Sequence, residues 1–115
     1  MIPMIPIPAR AAMPGLALLL SLAPAAAQEA TARLTIKDHR FEPAELRVPA
    51  GRPITLVVRN ADPTPEEFES KTLRVEKVIA GNGEATIRLR ALQPGRYRFY
   101  GEFNEATAQG ALVVE

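Results

Sequence analysis

Short segments with alternating polar and apolar residues, separated by turns, dominate the chain after residue 27. They cover 33–37, 45–48, 53–60, 73–79, 84–89, 95–100 and 111–115, and a two-residue period is typical of half-buried β-strands. Residues rich in Pro and Gly lie between them at 49–51, 81–83 and 94–95, where turns are expected. About seven or eight short strands without a helical period predict an all-β protein, an antiparallel sandwich or barrel.

Residues 1–27 have a different character. Their single charge, Arg10, precedes an apolar run at 16–20, and three alanines close the segment at 25–27. This arrangement predicts a secretory signal peptide that is cleaved after Ala27 and leaves a mature domain at 28–115. An uncleaved membrane anchor is the alternative, although the apolar run is short for a membrane span. Cleavage would leave an exported domain without membrane insertion.

Two features of the composition exclude whole classes of function. The chain has no cysteine, so it forms no disulfide and no thiolate metal site. Of its 14 basic and 13 acidic residues, only Arg10 lies in 1–27, which leaves 13 of each sign in residues 28–115. A domain without basic excess is not expected to bind nucleic acid.

The stretch 60–70, NADPTPEEFES, concentrates acidic residues directly after the most regular strand pattern. Its two prolines exclude a helix, and we expect an acidic loop. In an extended segment Glu67 and Glu69 face the same way, whereas Phe68 points into the core. Glu66 then faces away from Glu67 and is expected to be solvated. Acids gathered in this way need a nearby cation, either a basic side chain or a metal ion.

A second polar loop, 101–110, supplies Glu102 and Glu105. If both loops lie at one end of a sandwich, their carboxylates form an oxygen-rich site suited to Fe(II), Fe(III) or Mn(II), and less to Cu(II). Glu76, on the strand after the acidic loop, is either a further ligand or an outward-facing residue. The alternative is that the acids form weak surface ion pairs. The basic residues within reach in sequence are Lys71, Arg74, Lys77, Arg96 and Arg98.

Other reactive side chains are sparse. His39 is the single histidine, and it is expected to be a surface or hydrogen-bonded residue rather than a ligand. Tyr100, beside the second loop, is expected to be packed or hydrogen-bonded. No nucleophile, base and orienting group share a loop, so no catalytic residue is predicted and an enzymatic activity is not expected.

Three parts of the sequence together resemble the cupredoxin family. They are FEP at 41–43 with LRVPAG at 46–51, LVVRN at 56–60, and PGRYRFY at 94–100 with GALVV at 110–114. The resemblance implies a Greek-key β-sandwich that binds copper at one end. It places the blue-copper ligands at Glu66 or Glu67, about Gly101, about Asn104 and at Ala108, and none of these residues is a blue-copper ligand. A type 1 copper site, which requires a thiolate, is therefore excluded.

A narrower resemblance is to EfeO-type cupredoxin-like domains, carried by Glu67-Phe68-Glu69, Glu76 and the loop after residue 100. It implies a periplasmic accessory protein of bacterial iron uptake that binds iron or copper through carboxylates, here Glu67, Glu69, Glu102 and Glu76. The implied partners are an inner-membrane iron permease or other periplasmic subunits. Such relatives tend to have a His where this chain has Asn104. The alternative is a metal-free interaction module that docks to a transporter or redox partner through the acidic loop.

Overall fold

The computed structural model describes residues 2–7, 15 and 28–115. Most of the predicted signal peptide, 1–27, lies outside the described residues. Within 28–115 the chain forms nine strands and a short 3-10 helix, Glu102–Asn104. The strands are β1 (Ala30–Lys37), β2 (Arg40–Glu42), β3 (Glu45–Val48), β4 (Ile54–Asn60), β5 (Glu66–Ser70), β6 (Val75–Ile79), β7 (Glu84–Leu89), β8 (Gly95–Gly101) and β9 (Gln109–Val114). No helix in the described part of the chain has the length and apolarity needed to span a membrane.

The strands form two sheets that pack face to face. One sheet has the order β2-β1-β4-β7 and the other the order β3-β9-β8-β5-β6. The predicted β-sandwich is confirmed, but its sheets are mixed rather than antiparallel, since β1 pairs with β4 and β3 with β9 in parallel. The chain crosses to the second sheet at β3 before β4 returns to the first, and such a crossover permits parallel neighbours.

The core lies between the sheets and follows the two-residue period of the strands. Leu56 and Val58 of β4 are buried, as are Phe68 of β5 and Phe99 of β8. The centroids of the Phe68 and Phe99 rings are 5.0 Å apart, and Phe41 packs edge-on against Phe99 at 4.9 Å. Aromatic pairs at this spacing stabilise a core beyond the burial of their area. The prediction that Phe68 points inward is confirmed.

The acidic stretch 60–70, predicted to be a loop, is only partly one. Its second half forms β5, which pairs with β6 on one side and β8 on the other. Hydrogen bonds to two neighbouring strands hold this segment in the sheet, and both prolines precede the strand. The predicted strand 73–79 is in turn shorter, because Arg74 adopts a φ of 57° in the turn before β6.

Candidate metal site

Four glutamates converge on the outer face of the five-stranded sheet. One carboxylate oxygen from each of Glu67, Glu69, Glu76 and Glu102 lies within 4.8 Å of the others. These are the four residues predicted as metal ligands, and we call them the acid cluster. Two of them are half-buried, Glu67 and Glu69, and the other two are exposed.

The strand register explains how the acid cluster forms. Glu67 and Glu69 alternate with inward-facing residues of β5 and therefore share its outer face. Glu76 lies directly opposite Glu69 across the β5–β6 pair. Glu102 begins the 3-10 helix that follows β8, the other neighbour of β5. Like charges directly opposite each other destabilise a sheet, so this arrangement favours a proton or a cation between the carboxylates.

Two side chains beside the crowded carboxylates, Glu102 and Tyr100, have raised pKa values. Hydrogen bonds to Glu69 and Glu67, together with partial desolvation and their negative charges, raise the pKa of Glu102 to about 7. Burial, a hydrogen bond to Glu69 and the charge of the same carboxylate raise the pKa of Tyr100 to about 12. Tyr100, expected to be packed or hydrogen-bonded, is thus a neutral, half-buried phenol directly opposite Glu69 across the β5–β8 pair. The crowding therefore favours the protonated form of Glu102, and a bound cation would favour the ionised form instead.

The donor set agrees with a hard cation. Oxygen ligands suit Mn(II), Fe(II) and Fe(III), whereas copper favours imidazole or sulfur. Oε2 of Glu69 is buried and has no hydrogen-bond partner within the described residues, which is costly unless another group binds it. Two oxygens that are both about 2.1 Å from one ion lie at most about 4.2 Å apart. The carboxylates, whose oxygens lie within 4.8 Å of one another, therefore need to move closer together to share an ion.

The alternative of surface ion pairs is not what the structure shows. Across residues 28–115, the acid cluster forms no salt bridge with a Lys or Arg side chain. Arg96, one of the candidate partners, instead bonds Glu45 at 2.6 Å. Glu105 is outside the cluster and lines a neighbouring depression with Lys71. No Lys or Arg side chain among the described residues is therefore paired directly with the cluster, and Lys71 and Arg74 share a depression with Glu69 and Glu76 without forming a salt bridge to them.

Glu66 corrects the prediction of a solvated side chain. It is only 1% exposed, because it shares the inner face of β5 with Phe68. Its Oε1 accepts hydrogen bonds of 3.0 Å from the backbone N–H groups of Glu67 and Phe103. Its Oε2 accepts a 2.7 Å bond from Nδ2 of Asn104. The two-residue period that places Phe68 in the core also places Glu66 on the same side of β5, and this period is the sequence signal for the burial of Glu66.

The positions that correspond to blue-copper ligands meet around this carboxylate. A Cβ added to Gly101 would lie 2.6 Å from Cδ of Glu66 and 2.7 Å from Cβ of Ala108. Gly101, Asn104 and Ala108 thus surround the Glu66 carboxylate, which fills the space between them. The chain also has no cysteine. These residues do not fit a type 1 copper ion.

His39 lies in the turn between β1 and β2, outside the acid cluster. Nδ1 of His39 is 3.7 Å from Oδ2 of Asp62. The Asp62 carboxylate also accepts backbone hydrogen bonds from Asp38 at 2.8 Å and His39 at 3.0 Å. These bonds hold the pKa of Asp62 below its usual value, against the opposing effect of burial. The expected role of His39 as a hydrogen-bonded surface residue agrees with this arrangement.

Solved structures share the fold at low sequence identity. The copper-binding blue protein auracyanin A of Chloroflexus aurantiacus is 16% identical, with a TM-score of 0.66 over 76% of this chain and all of that chain (100%). The metal-binding domain of the Cu(I)-exporting P-type ATPase CopA of Streptococcus pneumoniae D39 is 18% identical, with a TM-score of 0.64 over 76% of this chain and 96% of the other. These similarities show the cupredoxin-like fold.

Sequence comparison leads to the family. An uncharacterized protein of Rickettsia prowazekii (strain Madrid E) is 44% identical over 82 residues, which are 71% of this chain and 66% of that protein. Residues 10–114 match the cupredoxin-like domain family, and this range includes all nine strands and the acid cluster. The chain belongs to the family of cupredoxin-like domains.

Proposed function

We propose that this protein is a periplasmic, EfeO-type accessory protein of bacterial iron uptake, which binds iron through the acid cluster. The observation that carries the proposal is the convergence of four carboxylates on one sheet face without a basic partner among the described residues. A hard cation at this position would remove the repulsion between Glu69 and Glu76.

The roles of the four side chains follow from their positions. Glu67 and Glu69 provide the rigid half of the site, because β5 has a neighbouring strand on each side. Glu76 contributes from the edge strand β6, and Glu102 from the 3-10 helix. Bound iron would supply a positive charge that the four carboxylates neutralise, without the thiolate bond of a blue-copper protein.

The cellular setting rests on two further sequence features. The signal-like segment 1–27 supports export to the periplasm. The run Glu67-Phe68-Glu69 and the acidic 3-10 segment support the EfeO-type assignment and, with it, a partnership with an inner-membrane iron permease or another periplasmic subunit. Iron is preferred to copper as the ion because the cluster has neither imidazole nor sulfur.

Thermal unfolding of the purified full chain tests metal binding. After removal of metal, melts are recorded with and without Fe(II) under anaerobic conditions, Mn(II), Cu(II) or Ca(II). An ion at 100 times its dissociation constant adds about 2.7 kcal/mol, which raises the midpoint by on the order of 10 °C for a domain of this size. The Glu67→Gln/Glu69→Gln variant should lose the shift, whereas Glu84→Gln, an exposed acid on the other sheet, should retain it.

One observation favours a second candidate, the metal-free interaction module. The buried Glu66 carboxylate accepts three hydrogen bonds from protein donors. The fold therefore needs no ion at this buried position. In that case the acid cluster would dock a basic surface of a transporter or redox partner through charge complementarity. Absence of a shift with every ion in the melts, together with partner binding that weakens as salt increases, would select this candidate.

A further inference from the structure

A depression of about 320 Å³ lies on the same outer sheet face as the acid cluster. Its walls come from the turn after β5, from β8, from the segment that follows the 3-10 helix and from the start of β9. The lining residues are Lys71, Thr72, Arg98, Tyr100, Glu105 and Gln109. The volume is at the small end of the range for small-molecule sites. We call this depression the cationic pocket.

Two basic side chains, Lys71 and Arg98, outnumber the single acid, Glu105, in the lining of the cationic pocket. Neither Lys71 nor Arg98 forms a salt bridge with a carboxylate among residues 28–115. Nη2 of Arg98 instead donates a 3.2 Å hydrogen bond to the neutral amide of Gln109. By contrast, Arg96, two residues earlier on the same strand face, is paired with Glu45. The remaining guanidinium and ammonium donors therefore lack an internal acceptor and favour an anion.

The cationic pocket and the acid cluster share a border. Tyr100 lines the pocket and lies directly opposite Glu69 of the cluster across the β5–β8 pair. Lys71 also lines a second depression of about 340 Å³, whose walls include Glu69 and Glu76. A ligand in the cationic pocket would therefore lie beside any ion held by the cluster.

We propose that the cationic pocket binds a small hydroxypolycarboxylate, the chemical class that includes citrate. Lys71 and Arg98 would each bind a carboxylate, the guanidinium in a bidentate manner. Glu105 and Gln109 offer acceptors for the hydroxyl group. The ligand would be the chelator that accompanies the metal to the acid cluster, and this last step rests on the proposed iron-binding function.

Calorimetric titration of the metal-free full chain with citrate tests the pocket without the metal. Tricarballylate carries the same three carboxylates but no hydroxyl group, and inorganic phosphate supplies negative charge without a carbon skeleton. Citrate should bind more tightly than both. Absence of citrate binding, or equal affinity for phosphate, would overturn the assignment.

Matched substitutions locate the ligand. Lys71→Gln and Arg98→Gln should each weaken citrate binding by about tenfold or more, because each removes a charge-assisted hydrogen bond. Arg96→Gln, on the same strand face, should leave the affinity within about twofold. Equal losses in Arg96→Gln and Arg98→Gln would contradict a specific pocket. Lys71 is exposed in a turn, so its variant tests the pocket even if Arg98→Gln fails to fold.

The two proposals can fail separately. Glu67→Gln/Glu69→Gln should lose metal binding and keep citrate binding to the metal-free chain. If citrate binds through Lys71 and Arg98 while no ion raises the melting midpoint, the pocket stands and the iron-binding function falls. If an ion binds through the acid cluster while citrate does not bind, the function stands and the pocket falls.

Discussion

The side-chain amide of Asn104 donates a 2.7 Å hydrogen bond to the buried carboxylate of Glu66. This bond joins the 3-10 helix to the inner face of β5, and the backbone N–H of Phe103 strengthens the connection. Glu102 begins the same 3-10 helix and belongs to the acid cluster. The inner carboxylate, Glu66, thus positions the loop that presents the outer carboxylate, Glu102.

Asn104→Ala should destabilise the chain by about 1–3 kcal/mol, because it leaves an oxygen of a buried carboxylate without its donor. Urea unfolding measures the loss. Gln93→Ala removes a side-chain amide from an exposed position and should change the stability by less than about 0.5 kcal/mol. Equal effects of the two substitutions would show that the Glu66–Asn104 bond contributes nothing.

Gly101→Ala should destabilise the chain by about 1–3 kcal/mol through overpacking. The added methyl group would contact Cδ of Glu66 at 2.6 Å, and three hydrogen bonds restrain that carboxylate. In the Glu66→Ala background the same methyl group should cost less, since one of its two close neighbours is gone. A double-mutant cycle by urea unfolding measures this coupling, and strictly additive effects would contradict the contact.

The local alternation of polar and apolar residues predicted most of the strands. The alternation of apolar residues identified β4, β7 and β8, and it placed Phe68 inside and Glu67 with Glu69 on one outer face. The parallel partners of β1 and β3 could not be predicted in this way, because strand order depends on contacts between distant segments. The limits of β5 could not be predicted for the same reason, since its pairing with β6 and β8 depends on distant segments and outweighs the prolines that precede it.

The four residues of the acid cluster were predicted, but the environment of Glu66 was not. An isolated acid is normally solvated, and the groups that make burial tolerable here, Phe103 and Asn104, lie 37 and 38 residues further along the chain. The choice of Glu76 over Glu105 also depends on tertiary structure. The β5–β6 register sets Glu76 opposite Glu69, a relationship that the sequence spacing alone does not specify.

Glu76→Gln should weaken iron binding by about tenfold or more, because it removes one carboxylate of the cluster and its charge. Glu105→Gln is the matched control: Glu105 is also an exposed acid and follows the 3-10 helix, but it is not part of the cluster. Titration of the metal-free chain with Fe(II) under anaerobic conditions measures both affinities. A larger loss in Glu105→Gln than in Glu76→Gln would place the ion elsewhere.

The metal-free chain should become less stable as the pH rises from about 4.5 to about 7. The folded state binds a proton at Glu102 with a pKa of about 7, above the ordinary value of 4.5, so this proton stabilises the fold fully below the lower value and not at all above the higher one. Thermal midpoints across this range measure the effect. Metal affinity should rise over the same range, because the ion displaces that proton.

Glu102→Gln is the control for this pH dependence. The amide keeps the shape of the protonated side chain and cannot ionise, so the decline between about pH 4.5 and about pH 7 should disappear. Glu84→Gln, in the other sheet, should retain it. An unchanged decline in Glu102→Gln would assign the proton to another group.

Asp62→Ala should destabilise the chain at neutral pH by about 1–3 kcal/mol, because the backbone N–H groups of Asp38 and His39 would lose their shared acceptor. The pKa of Asp62 is lowered in the folded state, so its contribution is present above its ordinary pKa and is lost as the pH falls through the lowered value. The stability difference between the original chain and the variant should therefore shrink in acid. Chemical unfolding at neutral and acidic pH measures this difference, and a gap that stays constant or widens in acid would show that the Asp62 charge does not stabilise the β1–β2 turn.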